Sequence, residues 1–162
     1  MLILINCDLI IGKIEHQGLS EKNMQNKIDD VIHELKEVSG NDRLNVELPD
    51  DILISSYETE IGFSFPEDYK KVLKEVGNIF YGTIELASIT NNKKDYRELS
   101  QILSDAREQG LPENWLPICE DNGSYYCLIP SNEIRYWTTD GYSDDRWASL
   151  ADWIKQVWIE GN

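Results

Sequence analysis

The sequence predicts an α+β fold, in which a mainly antiparallel sheet is flanked by helices within a single domain. Apolar residues recur at the 3.6-residue spacing of an amphipathic helix in five stretches, which cover residues 20–38, 50–61, 66–76, 96–107 and 149–158. Runs rich in β-branched and aromatic residues, typical of strands, crowd into residues 116–138. Within them, Asn122-Gly123 signals a two-residue hairpin, which joins antiparallel strands. Consecutive antiparallel strands with helices before and after them indicate an α+β domain.

Composition favours a packed domain in a reducing compartment. The chain has 162 residues, 41% of them hydrophobic, and five tryptophans, so we expect one packed domain rather than disorder. It has no apolar run of roughly 18 residues, which excludes an ordinary transmembrane helix. The first residues lack a basic segment and reach Asp8 early, so we expect no signal peptide. Cys7, Cys119 and Cys127 are an odd number, and reduced thiols in the cytoplasm are the simplest interpretation.

The charge is the most informative bulk property. Thirty acidic residues against fifteen basic ones give a formal net charge of −15. Residues 111–162 are the least neutralised part, with 9 acids and 3 bases. Such a surface repels nucleic acid and anionic membranes and favours a basic partner. Plain solubility is the alternative explanation.

Residues 1–48 are predicted to be an extension that precedes a core of residues 49–162. Residues 2–5 and 9–14 indicate strands, either a hairpin or one strand with a bend. Ser20 can cap a helix that runs to about Val38 and ends before Gly40. Its apolar stripe covers either the core or a partner, and it consists of Met24, Ile28, Val31, Ile32, Leu35 and Val38.

Two helices meet at a predicted corner near Gly62. The first begins at Asp50 or Asp51, and its apolar stripe is Leu53, Tyr57 and Ile61. Gly62 suits a left-handed helix stop, and Pro66 suits the first position of the next helix. The second helix ends at Gly77 and turns one apolar stripe inward, formed by Tyr69, Val72, Leu73 and Val76.

The middle of the chain is predicted to hold a strand, a loop and a helix. Residues 79–86 are rich in aromatic and β-branched residues and predict a strand. Residues 91–94 predict a loop, and residues 96–107 a helix that Gly110 and Pro112 close. The inward side of that helix is predicted to be Leu99, Ile102, Leu103 and Ala106.

The last third is predicted to contain three strands and a final helix. A two-residue turn at Asn122-Gly123 sets the pairs 121/124, 120/125, 119/126 and 118/127. The buried face of this hairpin is then Leu116, Ile118, Tyr125, Cys127 and Ile129. Residues 133–138 predict a third strand, and residues 139–145 a loop. The final helix starts near Ser149 and buries Leu150, Trp153, Ile154, Val157 and Trp158.

Residues suited to catalysis are few. His16 and His33 lie outside the core region, and His33 is expected on the solvent side of its helix. The predicted register places Cys119 and Cys127 on opposite faces, so they form neither a disulfide nor a metal site, and zinc-ligand spacing is absent. The neighbouring acids Asp144 and Asp145 are interpreted as a charged surface. We therefore expect no enzymatic activity, cofactor or metal.

A recognition surface is the remaining hypothesis. Acids and aromatic residues alternate through the last third, where aromatics supply contact area and acids attract a cationic partner. The predicted partner-binding residues are Glu120, Asp121, Trp137, Asp140, Tyr142, Asp144 and Asp145. The alternative is that two of Tyr136, Trp137 and Trp147 are core residues. Tyr142, flanked by acids and glycine, is the aromatic most expected at the surface.

Three segments resemble the SUKH superfamily over about residues 50–160. The order Glu60, Gly62, Phe65-Pro66, Tyr69, Leu73 and Gly77-Asn78 matches its acid, Leu-Gly, Leu-Pro, Tyr, Phe-Leu and Asn-Gly-Gly signature. Residues 123–128 and 148–154 agree with two later segments in order and spacing. Ile61 and Phe65 stand where leucines are commoner, and Asn78-Ile79 replaces Asn-Gly-Gly.

The resemblance implies an immunity protein. Many bacterial members bind one toxin of a contact-dependent or polymorphic toxin system, often a nuclease, and block it. A cytoplasmic antitoxin that occludes the active site of a basic toxin, and itself binds neither nucleic acid nor membrane, is therefore expected. Other members act as adaptors for an endogenous partner, and this is the alternative.

Overall fold

The structure is a computed structural model that describes residue 22 and residues 27–161, without the side chain of residue 142. Several predicted features lie outside the described residues: the strands at 2–5 and 9–14, Cys7, His16, the cap Ser20 and Met24. Among the residues it covers, no helix combines the length and apolar character needed to cross a membrane.

Helices precede and follow a four-stranded sheet, which confirms the α+β prediction. Helix α1 covers residues 27–39, and the helices before the sheet continue with α2 (Asp51–Ile61), α3 (Glu67–Val76) and α4 (Leu99–Glu108). The strands are β1 (Leu116–Asp121), β2 (Ser124–Leu128), β3 (Ile134–Thr138) and β4 (Gly141–Trp147). Helix α5 (Leu150–Trp153) continues as a π-helix over Ile154–Ile159. The strands lie in the order β1-β2-β3-β4, and each pairs antiparallel with the next.

Helix α1 covers the core, which decides between the two roles left open for its apolar stripe. Ile28, Val31, Ile32 and Leu35 are buried in the central cluster, whereas Val38 is 42% exposed and is not part of the stripe. Four ion pairs join α1 to its neighbours. Asp29 and Lys36 contact Lys71 and Glu75 of α3, and Lys27 and Glu34 contact Asp152 and Lys155 of the C-terminal helix.

The corner between α2 and α3 forms largely as predicted. Asp50 caps α2 by accepting a hydrogen bond from Leu53 N at 2.8 Å. The Glu58 carboxylate crosses the corner and accepts a hydrogen bond from Phe65 N at 2.7 Å. Pro66 has ψ 150° and is the N-cap of α3 rather than its first helical residue, so the helix begins one residue later than predicted, at Glu67.

The predicted stripe of α3 is confirmed, and that of α2 is corrected. Tyr69, Val72, Leu73 and Val76 are all buried. On α2 the buried pair is Ile54 and Tyr57, while Leu53 and Ile61 are only partly buried.

Gly62 ends α2 with φ +67° and ψ 33°, so we expect its replacement to be costly. A Cβ there would meet no atom within 4 Å, so the cost of Gly62→Ala is backbone strain alone, about 1–2 kcal/mol of unfolding free energy. Urea denaturation measures this loss. Gly62→Asn is the control and should lose less, because asparagine tolerates the left-handed region better. Equal stability of the alanine variant and the parent would contradict the assignment.

The predicted strand at 79–86 is wrong, because the chain turns at Gly82 and forms only isolated bridges there. These join Arg43 to Ile79 and Tyr81 to Ile84. Ile79, Ile84 and Leu86 are buried, so apolar residues that suggested a strand fill the core from an irregular segment. Helix α4 begins at Leu99 rather than at residue 96, and its predicted inward residues are all buried.

The β1–β2 hairpin has the predicted turn, and its register departs from the prediction at one point. Asn122 and Gly123 have φ values of 50° and 84°, and the pairs 121/124, 120/125 and 119/126 are observed. The pair 118/127 is wrong, since Pro117 opposes Cys127 and the strand bulges between Pro117 and Cys119. Proline cannot donate to the ladder and is confined to edges or bulges within sheets, which explains the shift.

Residues 139–145 are not the predicted loop. The chain turns after Thr138 and returns as β4, where Gly141 pairs with Thr138. A bulge places residues 143–145 opposite the single residue Tyr136. Ser143 stabilises it by donating from Oγ to Tyr136 O at 3.3 Å and accepting from Asp145 N at 3.1 Å. The acids of this segment therefore lie on an edge strand.

The C-terminal helix begins and packs as predicted. Ser149 caps it by accepting a hydrogen bond from Asp152 N at 3.1 Å. All five residues predicted to be inward are buried.

Candidate partner-binding surface

One face of the sheet combines acids with half-buried aromatic rings. This acid–aromatic face consists of Asp121, Tyr126, Tyr136, Asp145 and Trp147. The Tyr136 hydroxyl donates to Asp121 Oδ2 at 2.9 Å, which ties the end of β1 to β3. The Tyr126 ring centroid lies 4.9 Å from that of Tyr136 and 5.6 Å from that of Trp147. Tyr126 also packs on the fully buried Trp153 at 5.3 Å, so a rigid core supports the face.

The two tyrosines of this face are neutral beside two carboxylates. Burial raises the pKa of Tyr126 to about 12, and the charges of Asp121 and Asp145 add to the increase. Burial also raises the pKa of Tyr136, and a hydrogen bond with Ser124 lowers it in part. The hydrogen bond to Asp121 and the charges of Asp121 and Asp145 add to the increase. Both carboxylates are therefore electrostatically coupled to both rings. The face can offer a cation negative charge and aromatic surface together.

The other predicted contact residues are scattered around this face. Glu120 is exposed but alternates to the opposite side of the sheet from Asp121, where its Oε1 accepts from Gly123 N at 2.6 Å. Asp140 is exposed in the β3–β4 turn, and Asp144 is exposed in the β4 bulge. The backbone of Tyr142 pairs with that of Trp137, and its side chain lies outside the described part of the structure.

Trp137 is corrected from a contact residue to a core residue. It is 4% exposed, and its ring packs 5.9 Å from that of Tyr125. Neighbouring side chains alternate across a strand, so Trp137 points into the core and Tyr136 toward the acid–aromatic face.

The acids of residues 105–145 are not neutralised by ion pairs with other described residues. Within the described residues, none of the nine acids between positions 105 and 145 forms an ion pair within 4.0 Å. They are Asp105, Glu108, Glu113, Glu120, Asp121, Glu133, Asp140, Asp144 and Asp145. The ion pairs instead connect the helices and the segment that contains Arg97. Two of these unpaired acids, Asp121 and Asp145, belong to the acid–aromatic face, and the exposed Asp140 and Asp144 lie on the neighbouring turn and bulge.

A groove on the other side of the sheet was missed by sequence reasoning. It has a volume of about 580 Å³ and is lined by Tyr96, Arg97, Ile102, Gln109, Tyr125 and the acids Glu85, Asp105, Glu108 and Glu120. Tyr96 is 74% exposed and donates a hydrogen bond to Glu85. Tyr96 and Arg97 were predicted to lie inside α4. In the structure they precede the helix and line the groove, so the groove was not predicted.

Glu98 is a buried acid that no pattern in the sequence predicted. It is 2% exposed, its Oε2 accepts from Thr90 Oγ1 at 2.7 Å, and its Oε1 has no partner among the described residues. Burial raises the pKa of this carboxyl to about 7, opposed in part by a hydrogen bond from the Thr90 backbone. Glu98 lines neither the groove of Tyr96 and Tyr125 nor the pocket formed by residues 45–50 and 89–92. We therefore interpret it as a determinant of stability.

Glu98 is expected to make stability fall as pH rises toward neutrality. Its folded pKa of about 7 lies above the ordinary value of 4.5, so its contribution is fully present below pH 4.5 and is lost as pH rises through about 7. The slope is at most about 1.4 kcal/mol per pH unit. Glu98→Gln should flatten this slope in urea denaturation, whereas Glu113→Gln, at an exposed acid, should not. An unchanged slope in Glu98→Gln would contradict the assignment.

The two described cysteines are buried, and His33 is exposed on a helix. Cys119 and Cys127 are free and buried; burial raises the pKa of Cys119 to about 12 and raises that of Cys127 as well. His33 is on the helix surface, as predicted, and its Nε2 lies 3.3 Å from Glu37 Oε1.

Comparisons with known proteins agree with the fold. A family model described as SUKH_5, SMI1-KNR4 cell-wall, matches residues 28–159. The match begins within α1, earlier than the region on which the sequence resemblance rested. Among solved structures, the chain is similar to the crystal structure of a protein from Pseudomonas syringae pv. tomato, with 26% identity and a TM-score of 0.74. That alignment covers 82% of this chain and 98% of that chain. No curated protein matches the chain significantly.

Proposed function

Because this chain belongs to the SMI1-KNR4 (SUKH_5) family, which includes immunity proteins, we propose that it binds and neutralises a cognate toxin. The partner is a basic toxin domain, a nuclease, of a contact-dependent or polymorphic toxin system. The protein acts in the cytoplasm as a binding partner and not as an enzyme. The observation that carries this proposal is that two acids without ion pairs among the described residues, Asp121 and Asp145, lie beside half-buried aromatic rings on the acid–aromatic face.

Charge complementarity is the physical basis of the proposed interaction. A nuclease active site that binds phosphate is basic, and an acidic surface can occupy it. Half-buried rings supply contact area at the same place, and rigid aromatic anchors dominate many interfaces. Tyr126 and Tyr136 are held by Trp153 and Asp121 and lose little freedom on binding.

Inhibition proceeds by occlusion. A stable complex buries about 1,600 Å² in total. The exposed acids Asp140 and Asp144 border the acid–aromatic face and extend the contact. The toxin is thereby denied access to its substrate.

The test is association and protection with the product of the adjacent toxin gene. The two proteins are co-expressed, and growth and copurification are measured. We expect a stable complex and restored growth. A toxin that kills equally with and without this protein, and that does not copurify with it, would refute the proposal. Capture of an endogenous protein instead, with no toxin gene nearby, would favour an adaptor.

The association rate constant is expected to fall as salt rises. Electrostatic steering raises association rates by about 10- to 1,000-fold at low ionic strength, and it is screened as salt increases. Raising salt from about 50 to about 500 mM should therefore slow association far more than it changes dissociation. Surface plasmon resonance separates the two rates. Rates that are insensitive to salt would show that the acids do not steer the partner.

A further inference from the structure

We propose that Tyr136 and Asp121 form a site for an arginine side chain of the partner. The guanidinium lies on the Tyr136 ring, and Asp121 and Asp145 bind its N–H groups. This inference rests on the proposed function, and it names the type of partner residue that binds at the acid–aromatic face.

The chain contains an internal version of such a site. The Tyr96 hydroxyl donates to Glu85 Oε2, and Arg97 lies over the Tyr96 ring with its Cζ 5.3 Å from the centroid. Arg97 Nε is 3.6 Å from the same Glu85 oxygen. The arrangement thus has three parts: a tyrosine hydroxyl bound to a carboxylate, the ring beside it, and an arginine that contacts both.

Tyr136 and Asp121 provide the first two of these parts. The Tyr136 hydroxyl donates to Asp121 Oδ2 at 2.9 Å, as Tyr96 does to Glu85. Among the described residues, Asp121 also accepts from Asn122 Nδ2 at 3.3 Å, and the Asp145 carboxylate lies 3.4 Å from Ser143 Oγ. Within the described residues, neither carboxylate forms an ion pair. No cation among the described residues supplies the third part, and on this proposal it comes from the partner.

Arginine fits this site better than lysine does. A guanidinium is planar, so it can stack on a ring and donate N–H groups sideways to two carboxylates at once. The Tyr126 ring packs against the Tyr136 ring, with their centroids 4.9 Å apart and their planes inclined at 53°. The hydrogen bond from Tyr136 fixes Asp121. Tyr136 is thus both the stacking surface and the residue that positions the carboxylate.

The test uses the peptide acetyl-Gly-Arg-Gly-amide as a probe of the isolated protein. Its counterparts carry lysine or citrulline, and citrulline keeps the shape without the charge. Tyrosine rings labelled with ¹³C are followed by NMR. We expect the arginine peptide to shift the Tyr136 and Tyr126 rings with a dissociation constant of the order of millimolar. The lysine peptide should bind less tightly, and the citrulline peptide should leave the rings unshifted.

Matched variants identify the contacts. Asp121→Asn should weaken arginine-peptide binding about tenfold, since it removes a charged acceptor. Tyr136→Phe keeps the ring and should weaken binding about threefold, read at Tyr126. Glu113→Gln removes the same charge elsewhere and should have no effect. Unchanged tryptophan resonances show that each variant is folded.

Several outcomes would overturn the inference: unshifted Tyr136 in the parent, equal binding of the citrulline or lysine peptide, or equal effects of Asp121→Asn and Glu113→Gln. Shifts at Tyr96 and Tyr125 instead would assign cation binding to the groove. The cognate toxin separates this inference from the proposed function. A toxin complex whose affinity is unchanged by Asp121→Asn and Tyr136→Phe refutes the arginine site alone. Peptide binding at Tyr136 without any toxin complex refutes the immunity function alone.

Discussion

Replacing Trp153 by alanine is expected to lower the unfolding free energy by about 3–5 kcal/mol. Trp153 is completely buried, and its ring lies 5.3 Å from Tyr126 and 6.0 Å from Trp158. Its Nε1 has no hydrogen-bond partner among the described residues, so the loss comes from packing alone. For a chain of this size the melting temperature should fall by about 6–20 °C. Calorimetry and urea denaturation measure both quantities.

Trp153→Phe is the control for this prediction. It keeps an aromatic ring at the same position and should lose clearly less stability than the alanine variant. The alanine variant should also loosen Tyr126 and so reduce partner binding, even though Trp153 is buried. A loss below about 1 kcal/mol in the alanine variant would show that the C-terminal helix does not support the sheet.

Reversing two charges on the acid–aromatic face is expected to weaken toxin binding by about 100-fold or more. The double variant Asp121→Lys, Asp145→Lys places cations against a basic partner, and like charges at an interface cost several kcal/mol. Calorimetric titration with the toxin measures the change. The expected loss of protection in the co-expression assay follows from it.

The matched control changes the net charge by the same amount, but at positions away from the acid–aromatic face. Asp42→Lys with Glu113→Lys reverses two exposed acids elsewhere. This control should slow association slightly and leave dissociation unchanged. If both double variants weaken binding equally, only the total charge matters and the acid–aromatic face is not the contact.

Features fixed by neighbouring residues could be predicted from the sequence. The cap at Asp50, the left-handed Gly62, the Asn122-Gly123 turn and the start of the last helix at Ser149 each depend on a few adjacent positions. The helical stripes were also largely correct, because a helix repeats its inward face every 3.6 residues. Val38 on α1 and Leu53 and Ile61 on α2 were the exceptions, because each lies at the margin of the core rather than within it.

Features decided by distant parts of the chain could not be predicted in this way. Residues 139–145 contain Gly, Ser and Asp, which favour loops, yet β3 supplies a strand partner for them. Alternation along β3 turns either Tyr136 or Trp137 inward. The contact between the buried Tyr125 ring and Trp137 shows that Trp137 is the inward residue. Glu98 and Tyr96 differ from other acids and tyrosines only in their surroundings. The acids Asp121 and Asp145 were identified by type, but their meeting at Tyr136 depends on the bulge in β4.

That bulge also protects the molecule from joining its own copies. A strand at the margin of an open sheet can template the addition of further chains, and fibres grow in this way. In β4 the extra residues and the successive charged side chains at 144, 145 and 146 interrupt such a template. At the opposite margin, Ala87 N already donates to Ile118 O at 2.8 Å and covers β1. The insertion that places Asp145 beside Tyr136 is thus also expected to keep the sheet from polymerising.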